Sequence, residues 1–251
     1  DTDPLVEKLR IIEEIEQESS ETITLQVDIT KEKDLDEALR FIRERYGPIN
    51  GVVHAAGTHK DSLVVNKNEL DMKRVLEAKV KGTIILDQLT RQDPLEFFVI
   101  CSSVASIFGG VGQSDYSAAN SFVDQYTHYR NGMVQRRTLT LNWSLWHNVG
   151  MARSSEATSG LVRMGLRPLN RHMASNLFLK TLFLPYEQII IEDQILKCRG
   201  ITHLGGKNKQ SKSQSSDGSP KFSVKEAVLT ARTVEEFVIR QISEFSEVRE
   251  I

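Results

Sequence analysis

Short apolar runs, each bounded by turn residues, recur along this chain: ITLQV (23–27), INGVVHAAG (49–57), EFFVICS (96–102), TLTLNW (138–143) and QIIIED (187–192). Each is long enough for one strand, and none approaches the ~20 residues of a membrane helix. They are apolar throughout instead of alternating, the pattern of parallel strands covered on both faces. Helical periodicity fills the intervals. Leu5, Leu9 and Ile12 predict a helix over 4–17. Leu35, Ala38, Leu39 and Ile42 predict another, with Asp34 and Glu37 as start signals and Gly47-Pro48 as the stop. Two more are predicted over 68–91 and from Tyr116 to about Asn131. Strands alternating with helices define a doubly wound α/β sheet, which places its sites at the carboxyl ends of the strands. Those ends carry HAAG, CSS and NWSLW.

The 251 residues, 39% hydrophobic and 26% charged, suit one soluble α/β domain and a tail. A net charge of −2 leaves no basic field for nucleic acid. No segment reads as a signal peptide or membrane helix. Cys101 and Cys198 form no metal-binding spacing, so no metal site is expected. Cys101, inside an apolar run, reads as a core residue, and a reducing cytoplasm is the expected compartment. Residues 1–205 form the expected catalytic part, 206–221 a polar, low-complexity linker, and 222–251 a helical segment, with periodicity through Val234, Phe237, Val238, Ile239 and Ile242. The first glycine is Gly47. A glycine-rich turn that would bind a dinucleotide pyrophosphate is therefore not found, and the expected sheet is incomplete, lacking its first β-α-β unit.

The residues with a clear chemical reading lie in SSVASIFGGVGQSDYSAAN (102–120) and just upstream. Tyr116 and Asn120 are four apart on a predicted helix and share one face. Ser103 ends a strand thirteen residues earlier, and Lys79 sits in EAKVKG. Reducing a ketone needs a proton donor for the developing alkoxide and a donor to polarise its oxygen. Tyr116 suits the first role and Ser103 the second. A tyrosine titrates near ~10 when unperturbed, and an ammonium such as Lys79 is expected to lower that value.

These blocks, with HAAG (54–57), VLEAKVKG (75–82) and NWSLWHNVGM (142–151), resemble the short-chain dehydrogenase/reductase superfamily. Within it they resemble the ketoreductase domains of modular polyketide synthases, where asparagine follows the tyrosine by four residues and the lysine comes from an earlier helix. The resemblance covers residues 4–205 and implies a Rossmann-like fold with a helical lid over 151–175, including Met164 and Leu166. It implies Tyr116 as proton donor, Ser103 as carbonyl donor, and Lys79 with Asn120 as the tuning and positioning pair. NADPH is the implied cofactor, held by Asp28 and Ile29 of VDIT, by Ala55, Ala56 and Gly57, and by Ser144 and Leu145. His54 is expected to shape the cofactor wall, and Trp143 with Trp146 the pocket floor.

Asp61, Phe108, Gln113, Trp146 and Met151 are the implied substrate and stereocontrol residues. B-type enzymes carry LDD after the HAAG loop; this chain carries HKD, ending at Asp61. A-type enzymes carry Trp eight residues before the tyrosine; this chain carries Phe108. The resemblance thus implies a B-type enzyme giving the D-hydroxyl, and His59-Lys60 resembles trans-acyltransferase synthases. The implied partners are an acyl carrier protein with its phosphopantetheine-bound substrate and the other synthase domains. Residues 233–251 resemble the first helix of such a carrier protein. On this reading the chain is an excerpt of a multidomain synthase. Two alternatives stay open: a stand-alone reductase of the superfamily, and a non-catalytic or split half that needs the phosphate-loop segment.

Overall fold

The computed structural model describes residues 4–17, 21–147, 168–192 and 227–230. In chain order the elements are α1 (Pro4–Gln17), α2 (Glu32–Tyr46), β1 (Gly51–His54), a 3-10 turn (Val64–Asn66), α3 (Glu69–Thr90), β2 (Phe97–Ser103), α4 (Ala105–Phe108), α5 (Ser114–Met133), β3 (Thr138–Trp143), α6 (Arg171–Thr181), β4 (Gln188–Glu192) and β5 (Ala227–Thr230). The strands form one sheet in the order β1-β2-β3-β4-β5, every pair parallel. All carboxyl ends therefore lie on one edge.

Alternate residues of each strand feed two different cores. Phe98 and Ile100 of β2 pack with Val52, with Leu35 and Leu39 of α2, Ile85 and Leu86 of α3, and Val123 of α5. Val99 of β2 points the other way and joins Leu139, Leu141, Ile189 and Ile191 against Ala174 and Leu177 of α6. Strands β2, β3 and β4 are covered on both faces, as their unbroken apolar character requires, whereas Val53 of β1 is 47% exposed on the face turned away from Val52. Side-chain caps start two of the helices: Asn68 accepts from the Asp71 amide at α3, and Asn170 from the Met173 amide at α6, each at 2.8 Å.

Two expectations are corrected. ITLQV (23–27) forms no strand, because no described strand lies beside it to exchange backbone hydrogen bonds, and apolar composition alone does not make a ladder. Ala227–Thr230, inside the segment expected to be helical, is a strand that pairs Ile189 with Ala227 through Glu192 with Thr230. The helical periodicity rests on residues from 234 onward. AVLT carries β-branched Val228 and Thr230 and meets an open backbone edge on β4. Met151, Met164, Leu166 and most of the 151–175 lid segment lie outside the described residues, as do Cys198, the 206–221 linker and the tail beyond Thr230.

The inner stripe of α5 is polar where it crosses the sheet. Asn120, Asp124, Thr127 and Arg130 are buried at successive turns. Thr127 hydrogen-bonds the Val123 carbonyl and Thr140 of β3. Arg130 donates to Asp87 of α3 at 2.7 Å and to Thr138 at 2.7 Å, with its guanidinium 4.4 Å from the Phe98 ring centre. Asp87 also accepts from Arg91 (2.6 Å) and Tyr126 (2.8 Å). Burial pushes the Asp87 carboxyl up, but the bonds from Arg130, Arg91 and Tyr126 outweigh it and hold the pKa below the ordinary value. The Asp87–Arg130 side chains are 0% and 2% exposed. Arg130→Ala leaves Asp87 with Arg91 and Tyr126 as its remaining donors, and is expected to lower unfolding free energy by about 1.5–3 kcal/mol in urea denaturation, the range for a lost hydrogen bond to a charged group. Because the Asp87 pKa is depressed, its stabilising contribution is present above the ordinary aspartate range and is lost as pH falls through the folded value.

Candidate active site

The carboxyl ends of β1, β2 and β3 bring the sequence-selected residues to one edge of the sheet. Helix α5 begins at Ser114, two residues before the expected start, so Tyr116 sits on its first turn. Ser103 is the last residue of β2, in register with Trp143 of β3. Its Oγ accepts the Ala105 amide at 3.1 Å, which leaves the hydroxyl proton available for donation. The Ser103 and Asn120 side chains both act on the Tyr116 phenol to lower its pKa, and Asn120 Nδ2 donates to the Tyr116 backbone carbonyl at 2.8 Å. Asn120 Oδ1 is buried without a partner among the described residues.

Lys79, on α3, is 3% exposed and donates from Nζ to the Cys101 carbonyl of β2. Burial lowers its pKa, opposed by Cys101 and the charge of Asp124. Burial also raises the Tyr116 pKa above its ordinary value, more than the Ser103 and Asn120 hydrogen bonds lower it. This reverses the expectation that Lys79 would set the phenol below its usual range: its ammonium is committed to a backbone carbonyl, and removal of the phenol from water is the larger effect. The phenol is accordingly protonated at neutral pH. Cys101, expected in the core, is partly buried against the α6-side cluster, and burial raises its thiol pKa.

A second layer behind these residues was not singled out in the sequence. Asp124, two turns beyond Tyr116 on the inner face of α5, is 4% exposed. Asn142 of β3 directs Nδ2 at Asp124 (3.1 and 3.0 Å), Ser102 (3.2 Å), Ser106 (2.9 Å) and the Ser103 carbonyl (3.3 Å). An amide has two protons, so these acceptors share them. Gln188 of β4 donates to Asn142 Oδ1 at 3.0 Å. Burial raises the Asp124 pKa, against bonds from Ser102, Ser106 and Asn142 and the charge of Lys79. The sequence signal for Asp124 was available: a charged residue eight after Tyr116, on the stripe that carries Asn120.

The residues expected to hold a cofactor follow the same edge. Ala55, Ala56 and Gly57 continue from β1, and a Cβ at Gly57 would lie 2.9 Å from Lys79 Cε. Any larger residue at Gly57 would have to displace the end of the Lys79 side chain. Ser144, past the end of β3, is 5% exposed with its hydroxyl unpartnered among the described residues; Leu145 follows it, and its carbonyl accepts the Leu169 amide. Asp28 accepts two bonds from Thr30, which lower its pKa, and Ile29 rests against Gly82 of α3. The Gly57 cradle and the unpartnered Ser144 hydroxyl fit one side of a nicotinamide dinucleotide groove.

Of the substrate-side residues, Gln113 donates to Asp61 at 2.9 Å, and the Asp61 charge raises the Tyr116 pKa. Phe108 instead packs inward on Val104 and Ile190. Trp146 stacks edge-on to Trp143 at 5.0 Å between ring centres, against the α6-side core. His54, at the end of β1, is 2% exposed, and neither ring nitrogen has a partner among the described residues.

A parallel α/β sheet with Ser103, Tyr116, Asn120 and Lys79 gathered at its carboxyl edge defines a Rossmann-like protein of the short-chain dehydrogenase/reductase class. The family model described as KR domain matches residues 3–148. Polyketide synthase PksN of Bacillus subtilis (strain 168) is 36% identical over 204 residues, 78% of this chain and 4% of PksN. Polyketide synthase ThaG of Burkholderia thailandensis is 38% identical over 149 residues, 57% of this chain and 3% of ThaG. A ketoreductase domain from the bacillaene assembly line superposes with a TM-score of 0.68 at 30% identity, covering 72% of this chain and 45% of that one. An N-terminal ketoreductase from the macrolactin assembly line gives 0.64 at 31%, covering 74% and 37%. The chain belongs to the ketoreductase (KR) domain family of polyketide synthases. It spans a few hundredths of the length of the curated relatives it matches.

Burial, then the nearby Lys79 charge, lowers the His54 pKa from 6.5 to about 4. An unfolded histidine binds its proton near 6.5, so His54 destabilises the fold progressively as pH falls from there toward 4. NMR of the His54 ring is expected to show no titration above about pH 5. Replacing His54 by Asn is expected to flatten the acid side of the stability–pH curve measured by thermal denaturation.

Proposed function

We propose that this chain carries the acid side of an NADPH-dependent reduction of a carrier-protein-bound β-ketoacyl chain to the β-hydroxyacyl product. The observation that carries the proposal is the placement of Ser103 at the end of β2 and of Tyr116 and Asn120 on the first turns of α5, at the carboxyl edge of the sheet. Tyr116, held protonated by burial, gives its proton to the ketone oxygen as charge develops there. Ser103, its Oγ fixed by the Ala105 amide, donates a hydrogen bond to the same oxygen. Asn120 donates to the Tyr116 backbone carbonyl and so fixes the first turns of α5, and Lys79 places a positive charge behind β2. Gly57, Ala56, Ala55, Ser144, Leu145, Asp28 and Ile29 would hold the cofactor, which supplies the hydride equivalent when bound.

A B-type outcome, the D-hydroxyl, is the stereochemical reading. It is supported by Asp61, which is bonded to Gln113 and near enough for its charge to raise the Tyr116 pKa, and by Phe108 eight residues before the tyrosine. Fold likeness does not bear on this choice, since a structure described as A-type ketoreductases from a modular polyketide synthase matches with a TM-score of 0.65 at 29% identity. The substrate would arrive on a phosphopantetheine arm, in the cytoplasm, with residues 206–221 as a linker toward a neighbouring domain.

The test is reduction of a β-ketoacyl thioester by the intact protein that carries this chain, with NADPH and NADH compared. Tyr116→Phe is expected to lower kcat by about 10²–10⁴-fold, with NADPH binding, read by fluorescence titration, unchanged. Chiral chromatography of the wild-type product is expected to give the D-hydroxyl; an L-hydroxy product would overturn the B-type reading.

A further inference from the structure

The loop between β1 and α3 is fastened to the start of α5 by an ion pair removed from water. Lys67 Nζ lies 2.7 Å from Asp115 Oδ1, with the two side chains 2% and 0% exposed. Lys67 also donates to the Lys60 carbonyl at 2.8 Å, drawing the loop in on itself. Asp115 is the residue before Tyr116, and the same Oδ1 accepts the Tyr116 amide at 2.9 Å. Its other oxygen is buried without a partner, so among the described residues Lys67 is the only cation bonded to this carboxylate. Two further bonds close the same seam: Ser62 N–H to the Gly112 carbonyl at 3.0 Å, and Gln113 to Asp61 at 2.9 Å. Gly112 has φ +80°, and a Cβ there would stand 3.1 Å from the Ser62 nitrogen. The seam holds the His59 ring edge-on to Tyr116, with 6.4 Å between ring centres.

Burying two charges costs several kcal/mol each, and an apolar pair of similar volume is often as stable or more so. What an ion pair adds is one preferred geometry. We propose that Lys67 and Asp115 are positioning residues that fix the 58–68 loop against Tyr116, closing one side of the tyrosine to the substrate and thereby setting the enantiomer formed. The inference rests on the reductase reading above. With one side sealed by the Lys67–Asp115, Ser62–Gly112 and Asp61–Gln113 contacts, the acyl chain reaches Tyr116 from the other side and presents one face of its ketone.

The experiment compares wild type, Lys67→Met and the double variant Lys67→Met/Asp115→Asn in the intact protein. The substrate is a β-ketoacyl thioester of N-acetylcysteamine with NADPH. The single variant is expected to lower Tm, because it strands a buried carboxylate; the double variant is expected to recover it. Both are expected to raise KM and to shift the enantiomer ratio by about tenfold, within the ~100-fold that an ångström of misplacement can cost. A double variant with wild-type Tm, KM and product ratio would show the pair to be a structural tie alone and overturn the proposal. If Lys67→Met does not fold, the double variant decides by itself. If the wild type reduces no β-ketoacyl thioester, the reductase reading fails. The positioning role is then decided by the nuclear Overhauser contact between the His59 and Tyr116 rings, expected in wild type and lost in the double variant; its persistence there overturns the proposal.

Discussion

The polar inner stripe of α5 governs where everything else can sit. A helix that buries Asn120, Asp124, Thr127 and Arg130 cannot slide over the sheet as an oily one can, since each group needs a specific partner. Arg130 finds Asp87 and Thr138, Thr127 finds Thr140, and Asp124 finds Asn142 and Ser102's neighbourhood. These contacts recur roughly every turn along β3. A slip by one turn would strand several buried polar groups at once. The register of α5 on the sheet is thereby set, and with it the position of Tyr116 on the first turn.

The same stripe explains an asymmetry between the two faces. The α6 side of the sheet is apolar, with Leu139, Leu141, Ile189 and Ile191 meeting Ala174 and Leu177. The α5 side carries Thr138, Thr140, Asn142 and Gln188, all buried. Both faces supply hydrophobic stabilisation, through the clusters around Leu139 and around Phe98, and the α5 side adds directional bonds that orient the helix bearing the proton donor. Lys79 joins this polar layer through the Cys101 carbonyl and the Asp124 charge, so the site is continuous with the interior behind it. The Tyr116 pKa shows the consequence: desolvation dominates, and the phenol is kept as an acid.

Much of this was legible from sequence. Four of the five apolar runs are strands at the expected places, and TLTLNW forms β3 residue for residue. HAAG, CSS and NWSLW do lie at strand ends, because the apolar runs they close pair side by side in the sheet. ITLQV failed because a strand needs a partner, and pairing is not a property of the run itself. Ala227–Thr230 failed in the opposite sense, since the open edge of β4 recruits a short segment that local periodicity does not mark as extended. Asp124 and Lys67 escaped notice because a lone charge reads as a solvated side chain until burial is known.

The sequence by itself determined the alternation of elements, the parallel sheet, and the identity and order of Lys79, Ser103, Tyr116 and Asn120. Those follow from periodicity, spacing and residue chemistry, all local or nearly so. The tertiary structure alone decided which charges leave water and whom they meet. It gave Lys79 to a backbone carbonyl, paired Lys67 with Asp115 across 48 positions of chain, and raised the Tyr116 pKa that a nearby lysine was expected to lower. Burial and long-range partnership depend on packing of the whole sheet, and no window of sequence contains them.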